Sequence, residues 1–88
     1  MDQEFTVYTR PNCRYCDAAL ELLARRGLRF RKLDVRADPA LLEEMYSRSG
    51  RFTFPQIFVG ERHLGGCDEV LALDRTGELT LLAAGAAQ

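Results

Sequence analysis

The sequence predicts an α/β domain: a four-stranded mixed sheet in the order β-α-β-α-β-β-α, with helices covering both faces. Three observations carry this. Two β-branched or aromatic runs near the N-terminus enclose an amphipathic stretch, a second amphipathic stretch follows between Asp38 and Gly50, and Gly60-Glu61 then joins two further short strand segments.

Phe5-Thr6-Val7-Tyr8-Thr9 stops at the breaker cluster Arg10-Pro11-Asn12 and reads as a short strand. Residues 14–26 carry Ala18, Ala19, Leu20, Leu22 and Leu23 as a wide apolar stripe, with Asp17, Glu21 and Arg25 at i, i+4 spacing opposite. This is a surface helix, closed at Gly27 where a left-handed cap is favoured. Residues 28–35 form a second strand, with Phe30, Leu33 and Val35 expected to be buried. A strand-helix-strand run of this length implies a parallel pair with a right-handed crossover.

Asp38-Pro39 combines a side-chain N-cap with proline at the first helical position, and Leu41, Leu42, Met45 and Tyr46 supply the stripe of a second helix that ends at Gly50. Gln56-Ile57-Phe58-Val59 and Arg62-His63-Leu64 flank Gly60-Glu61, a connection suited to a type II′ hairpin turn. After Gly65-Gly66, residues 67–74 place Val70, Leu71 and Leu73 on one side of a short helix, and residues 79–84 are open to forming another. The alanine-rich end, residues 83–88, is expected to fray. With no repeat and no linker, residues 1–88 read as a single domain.

A chain of 88 residues, 47% hydrophobic and 28% charged, excludes a disordered tail and leaves no room for a second domain. Folding at this size buries roughly 60 to 65% of the unfolded surface, enough for one modest core without disulfides or metal. The three cysteines therefore need not be structural. Ten basic and eight acidic residues run through Arg51, and two and five follow it, for a net charge of -1. Such a balance makes no concentrated basic face and argues against nucleic acid or an anionic membrane as partner. The acids in Met1-Asp2-Gln3-Glu4 oppose a signal peptide, and no apolar run approaches 18 residues, so a cytoplasmic location is expected. In a reducing compartment a C-x-x-C pair is more often redox-active or metal-binding than a staple.

Cys13-Arg14-Tyr15-Cys16 lies where the first strand hands over to the first helix. Cys13 is thus expected beside unpaired backbone N–H groups at the positive end of the helix dipole, a site that favours a thiolate. Cys16, one helical turn on, is the natural resolving thiol. Arg10 and Arg14 flank the pair and either add to this stabilisation or remain solvated. A zinc site completed by Cys67 and His63 is the competing reading, but the chain has no second C-x-x-C and His63 falls within the hairpin. Pro55 marks a strand start or, alternatively, a cis bond that turns the backbone of Phe54 toward Cys13. Gly65-Gly66-Cys67-Asp68 opens the last helix, where glycines admit a ligand to the backbone and N–H groups bind a carboxylate; Asp68 is either a cap or the acceptor for a ligand ammonium.

Tyr8-Thr9-Arg10-x-x-Cys13-x-Tyr15-Cys16, then Thr53-Phe54-Pro55-Gln56-Ile57-Phe58-Val59-Gly60, then Gly65-Gly66-Cys67-Asp68, together resemble the glutaredoxins of the small dithiol bacterial type, from about Phe5 to Leu82. The resemblance implies a thioredoxin fold with Pro55 cis, and glutathione bound between the C-x-x-C helix and the last helix. It implies Cys13 as nucleophile and Cys16 as resolving thiol, with Tyr15 lining the site. Arg10 stands where the family usually has lysine and would meet the glycyl carboxylate, for which Gln56 is a weaker candidate. Phe54 and Pro55 would pair with the cysteinyl backbone, and Cys67 and Asp68 would hold the γ-glutamyl end. Arg14 stands where the family commonly has proline, which loosens the first turn and adds charge, and Phe54 replaces the usual valine and reshapes the groove.

The implied activity is glutathione-dependent reduction of protein disulfides and of glutathionylated proteins by a monomer that needs no metal. Two alternatives remain. One is a redoxin recharged by thioredoxin reductase, for example a ribonucleotide reductase donor; the paired charges Arg10 and Asp68 argue against it. The other is a carrier in which two chains and two glutathiones share a [2Fe-2S] cluster through each Cys13. A purely structural role leaves the thiol arrangement unexplained.

Overall fold

Alternation along the strands decides how the layers stack. A computed structural model describes residues 2–85, with β1 (Phe5–Thr9), α1 (Arg14–Arg25), β2 (Phe30–Asp34), α2 (Pro39–Ser49), β3 (Gln56–Val59), β4 (Arg62–Gly65), α3 (Cys67–Thr76) and α4 (Glu78–Ala83). The sheet order is β2-β1-β3-β4. β1 and β2 are parallel, as the intervening helix requires, while β3 runs antiparallel to both β1 and β4. The hairpin turn has Gly60 at φ +57 with Glu61 outside the left-handed region, the φ signature of the expected type II′ turn.

Phe5 and Val7 of β1 and Ile57 and Val59 of β3 point to one face, where they join Ala19, Leu22 and Leu23 of α1, Val70 of α3, and Leu79 and Leu82 of α4. Tyr8 and Phe58 point to the other face and pack with Val35 and with Met45 of α2. β3 is therefore buried at every position. The Tyr8 hydroxyl donates to Glu44 and accepts from Arg48 Nη1 at 2.8 Å, which ties the middle of the sheet to α2. Arg48 Nη2 also reaches the Gly60 carbonyl at 3.1 Å and so fastens the hairpin to the same helix.

Three expectations shift, and one left open is met. β2 is an edge strand, so Phe30 and Leu33 are only half-buried, and Val35, which is buried, lies just past the strand end. Tyr46 leaves the core stripe: one residue on from buried Met45 turns it about 100° around the helix, and it stacks on Phe52 at 4.2 Å between ring centroids. The further helix left open for residues 79–84 is present as α4: Gly77, at φ +82°, separates it from α3, which runs two residues further than expected, to Thr76. Ala83 is not part of a frayed tail. It is buried, and its carbonyl accepts from the Gln3 N–H at 2.6 Å, while residues 86–88 lie outside the described residues.

Candidate functional site

α1 begins where β1 ends, and Cys13 is its N-cap. The extended backbone of Cys13 (φ -114°, ψ 106°) aims the sulfur back along the helix axis, where it accepts from the Cys16 N–H at 3.3 Å. One of the unsatisfied donors of the first turn is thus spent on sulfur, an arrangement that stabilises negative charge there. Asn12, just before it, has φ +57°, and it is the one non-glycine among the described residues with positive φ. Asparagine tolerates this conformation better than most residues.

Cys16 sits one turn deeper on the buried stripe, at i-3 from Ala19, and is fully enclosed. Burial, then a hydrogen bond to Cys13, push its pKa up to about 11 despite opposing contacts from Arg10 and Thr9. Cys67 is also buried, and its pKa is raised by burial first and then by the charges of Asp68, Cys13 and Glu69. Two thiols are therefore held protonated around the one that caps the helix.

The Phe54–Pro55 peptide bond is cis, and the Phe54 carbonyl oxygen lies 4.0 Å from Cys13 Sγ. Beside it opens a groove of about 160 Å³ lined by Tyr15, by Arg51 and residues 53–55, and by Gly66, Cys67, Asp68 and Glu69 at the start of α3. Tyr15 is 61% exposed and available to a ligand. Arg51 stands across from Glu69, with Nη1 to Oε1 at 4.0 Å, so the groove carries a cation on the loop side and carboxylates at the α3 end. The Glu69 carboxylate also accepts from the Gly66 N–H at 2.6 Å.

Gly65 makes this close approach possible. It has φ +115°, and a Cβ there would meet Glu69 Oε1 at 2.6 Å. Gly65→Ala is therefore expected to cost about 1–3 kcal/mol, both from left-handed strain and from displacing Glu69. A urea midpoint indistinguishable from that of the parent would refute this.

Of the residues singled out from the sequence, Tyr15, Phe54, Pro55, Cys67 and Asp68 are brought together in the groove. Arg10 is not. It lines a polar depression on the other side of the Cys13 loop with Asp17, Lys32 and Asp34, and its guanidinium lies 5.5 Å from the Phe54 ring centroid. Gln56 is also absent from the groove: it is buried, with its amide bonded to Thr53 and His63. Sequence reasoning missed Arg51, Thr53 and Glu69 as lining residues. Glu69 carried a signal, an acid at the third position of a helix, which invites a capping contact. Arg51, a lone charge after a helix-ending glycine, carried none. Among the described residues no three His, Cys, Asp or Glu side chains are gathered in a group that could hold a metal ion, and His63 Nε2 faces Gln56 Oε1 at 2.7 Å. Among them, too, no helix is long and apolar enough to cross a membrane.

A C-x-x-C dithiol capping the first helix, facing a cis-proline loop on a four-stranded mixed sheet, defines a thiol-disulfide oxidoreductase of thioredoxin fold. A family model for glutaredoxin matches residues 5–64. The chain is 47% identical to glutaredoxin 3 of Escherichia coli over 73 residues, which cover 83% of this chain and 88% of that one. It is 42% identical to a glutaredoxin of Pseudomonas aeruginosa over 76 residues, 86% of this chain and 90% of that one. Among solved structures, a glutaredoxin from Brucella melitensis superposes with a TM-score of 0.80 at 50% identity, covering 96% and 92% of the two chains. A buckwheat glutaredoxin in complex with glutathione superposes with a TM-score of 0.84 at 26% identity, covering 93% and 77%. The chain belongs to the glutaredoxin family.

Proposed function

We propose that the chain reduces protein-glutathione mixed disulfides and protein disulfides with glutathione as reductant, through Cys13 and Cys16. The observation that carries this reading is the helix-capping Cys13 sulfur set beside a groove with Arg51 on one side and Asp68 and Glu69 on the other. Glutathione offers the complement: a peptide thiol flanked by two carboxylates and one ammonium. The buckwheat relative solved with glutathione supports the same ligand.

On a glutathionylated protein the Cys13 thiolate attacks the glutathione sulfur, and the protein departs as its thiolate. A second glutathione thiolate then attacks the glutathionyl sulfur on Cys13, releasing glutathione disulfide and restoring the Cys13 thiolate. On a protein disulfide Cys13 forms a mixed disulfide with one sulfur. Cys16, once deprotonated, attacks Cys13, expels the substrate thiol and leaves a Cys13-Cys16 disulfide that two glutathiones reduce. The high pKa of Cys16 keeps it protonated until that moment, so it does not compete with Cys13 for substrate. The domain acts as a monomer, in a compartment such as the cytoplasm where glutathione is kept reduced.

The test is turnover of a glutathionylated peptide with glutathione, glutathione reductase and NADPH, with thioredoxin reductase run in parallel. Turnover with the glutathione system supports the reading; turnover with thioredoxin reductase alone overturns it. A second expectation separates the two thiols. Cys16→Ser should keep at least about half of the deglutathionylation rate yet lose more than about a hundredfold in protein-disulfide reduction, because only the second reaction needs an internal attacking thiol. Equal losses in both assays would contradict the assignment of Cys16 as resolving thiol.

A further inference from the structure

Residues 51–55 belong to no helix or strand, so the wall of the groove that faces Cys13 has no ladder of backbone bonds to hold it. A side chain supplies the hold. Gln56 opens β3, is 1% exposed and points inward, on the same face of the sheet as Phe58. Its Nε2 donates to the Thr53 carbonyl and to Thr53 Oγ1, both at 2.9 Å, and its Oε1 lies 2.7 Å from His63 Nε2.

The chemistry of these atoms gives the chain a direction. A carbonyl oxygen has only lone pairs, so the Gln56 atom facing the Thr53 carbonyl is the nitrogen, and the atom facing His63 is the oxygen. An amide oxygen accepts only, so His63 Nε2 carries the hydrogen. Burial, with the charges of Arg51 and Arg48 outweighing that of Glu69, holds the His63 pKa below its ordinary value and favours the neutral ring. That ring is steadied against Phe58, with centroids 4.8 Å apart. Donation thus runs outward from His63 to Gln56 to Thr53. The Thr53 hydroxyl receives a hydrogen bond at its oxygen from the protein interior, and its own proton is left for an acceptor in the groove that Thr53 lines.

We propose that Gln56 and His63 are positioning residues: a buried relay that holds Thr53, and with it the Thr53-Phe54-Pro55 wall, so that the Thr53 hydroxyl meets a carboxylate or carbonyl acceptor of glutathione. This deepens, and rests on, the glutathione reading of the groove. Neither side chain touches the ligand. Gln56 acts through the carbonyl and hydroxyl it ties down, and His63 acts through the orientation of the Gln56 amide. The effect falls on binding rather than on the reacting sulfur, because Cys13 is held separately, by the first turn of α1.

The experiment measures kcat and KM for a glutathionylated peptide, in the glutathione-coupled assay, for the parent chain, Gln56→Leu, His63→Phe and His63→Gln. Gln56→Leu removes both bonds to Thr53 and is expected to raise KM about tenfold with kcat within about twofold. His63→Phe keeps the ring stack but leaves the Gln56 oxygen without its donor, and is expected to raise KM about fivefold. His63→Gln restores an N–H to that oxygen and is expected to return KM to within about twofold of the parent.

The rate of Cys13 alkylation by iodoacetamide, which does not use the groove, should be the same in all four proteins. A merely structural role would move that rate together with KM. Unchanged KM in folded Gln56→Leu and His63→Phe overturns the relay, as does a His63→Gln variant no better than His63→Phe. Should Gln56→Leu fail to fold, the two His63 variants decide by themselves. A parent chain that turns over with thioredoxin reductase alone overturns the glutathione reading itself and the relay with it, an outcome distinct from a defect confined to the variants.

Discussion

Cys13→Ser is expected to abolish turnover of glutathionylated peptide, with a loss of at least about a thousandfold in kcat/KM in the NADPH-coupled assay. The reaction proceeds by sulfur displacing sulfur, and a serine hydroxyl neither ionises near neutral pH nor exchanges with disulfides. The substitution is also a clean one. Cys13 is the N-cap of α1, and serine is among the preferred residues there, so the contact with the Cys16 N–H can be kept and the fold with it. Neither remaining thiol offers a substitute nucleophile, since burial keeps Cys16 near a pKa of about 11 and raises that of Cys67. The loss should therefore come with an unchanged urea midpoint. Retention of a tenth or more of the parent rate would remove Cys13 from the role of nucleophile.

Phe58→Ala is expected to lower the unfolding free energy by about 3–5 kcal/mol, the range for truncating a buried aromatic side chain. Phe58 is 1% exposed and holds together three groups. The Tyr8 ring meets it edge-on at 5.7 Å, the Arg48 guanidinium lies 4.0 Å from its centroid, and His63 packs at 4.8 Å. Little else fills that side of the sheet, because the cluster under α2 consists of four fully packed residues with Leu33, Leu41, Leu42 and Phe54 at its border. A domain of this size has roughly 5–15 kcal/mol to lose. The thermal midpoint should fall by more than about 10 °C. A destabilisation under about 1 kcal/mol, measured by urea unfolding, would mean that the α2 layer does not depend on this ring.

Phe54 borders the same cluster while lining the groove, which links the stability of the α2 layer to the shape of the site. The link bears on function because residues 53–55 form the wall opposite Cys13. A loss of packing at Phe58 also disturbs His63, one end of the chain of hydrogen bonds that reaches Thr53. Stability and ligand binding on this side of the sheet are thus expected to be coupled, whereas the Cys13 cap belongs to the opposite layer, with α1.

What the sequence determined by itself were the features that act over a few residues. The β-branched and aromatic run of β1, the stripe of α1, the Asp38-Pro39 start of α2, the glycine-led hairpin and the placement of Cys13 at a helix start all follow from local geometry, and the structure contains each of them. The strand order β2-β1-β3-β4 was decided only by tertiary packing. It left Phe30 and Leu33 on an edge with a single sheet neighbour and so less covered than their hydrophobicity suggested. Tyr46 likewise suited the stripe by spacing, yet lies outside it because only a narrow face of α2 meets the sheet. The site divides in the same way. Cys13 and Cys16 are near neighbours in the chain, so their contact is a property of one helical turn. The groove instead joins Tyr15, Arg51, residues 53–55 and residues 66–69, which meet only when α1, the loop and α3 close around the same end of the sheet. The inward turn of Gln56 is of this second kind: its partner His63 lies across the hairpin, and no local pattern distinguishes a glutamine that reaches a ligand from one whose amide is already satisfied inside the protein.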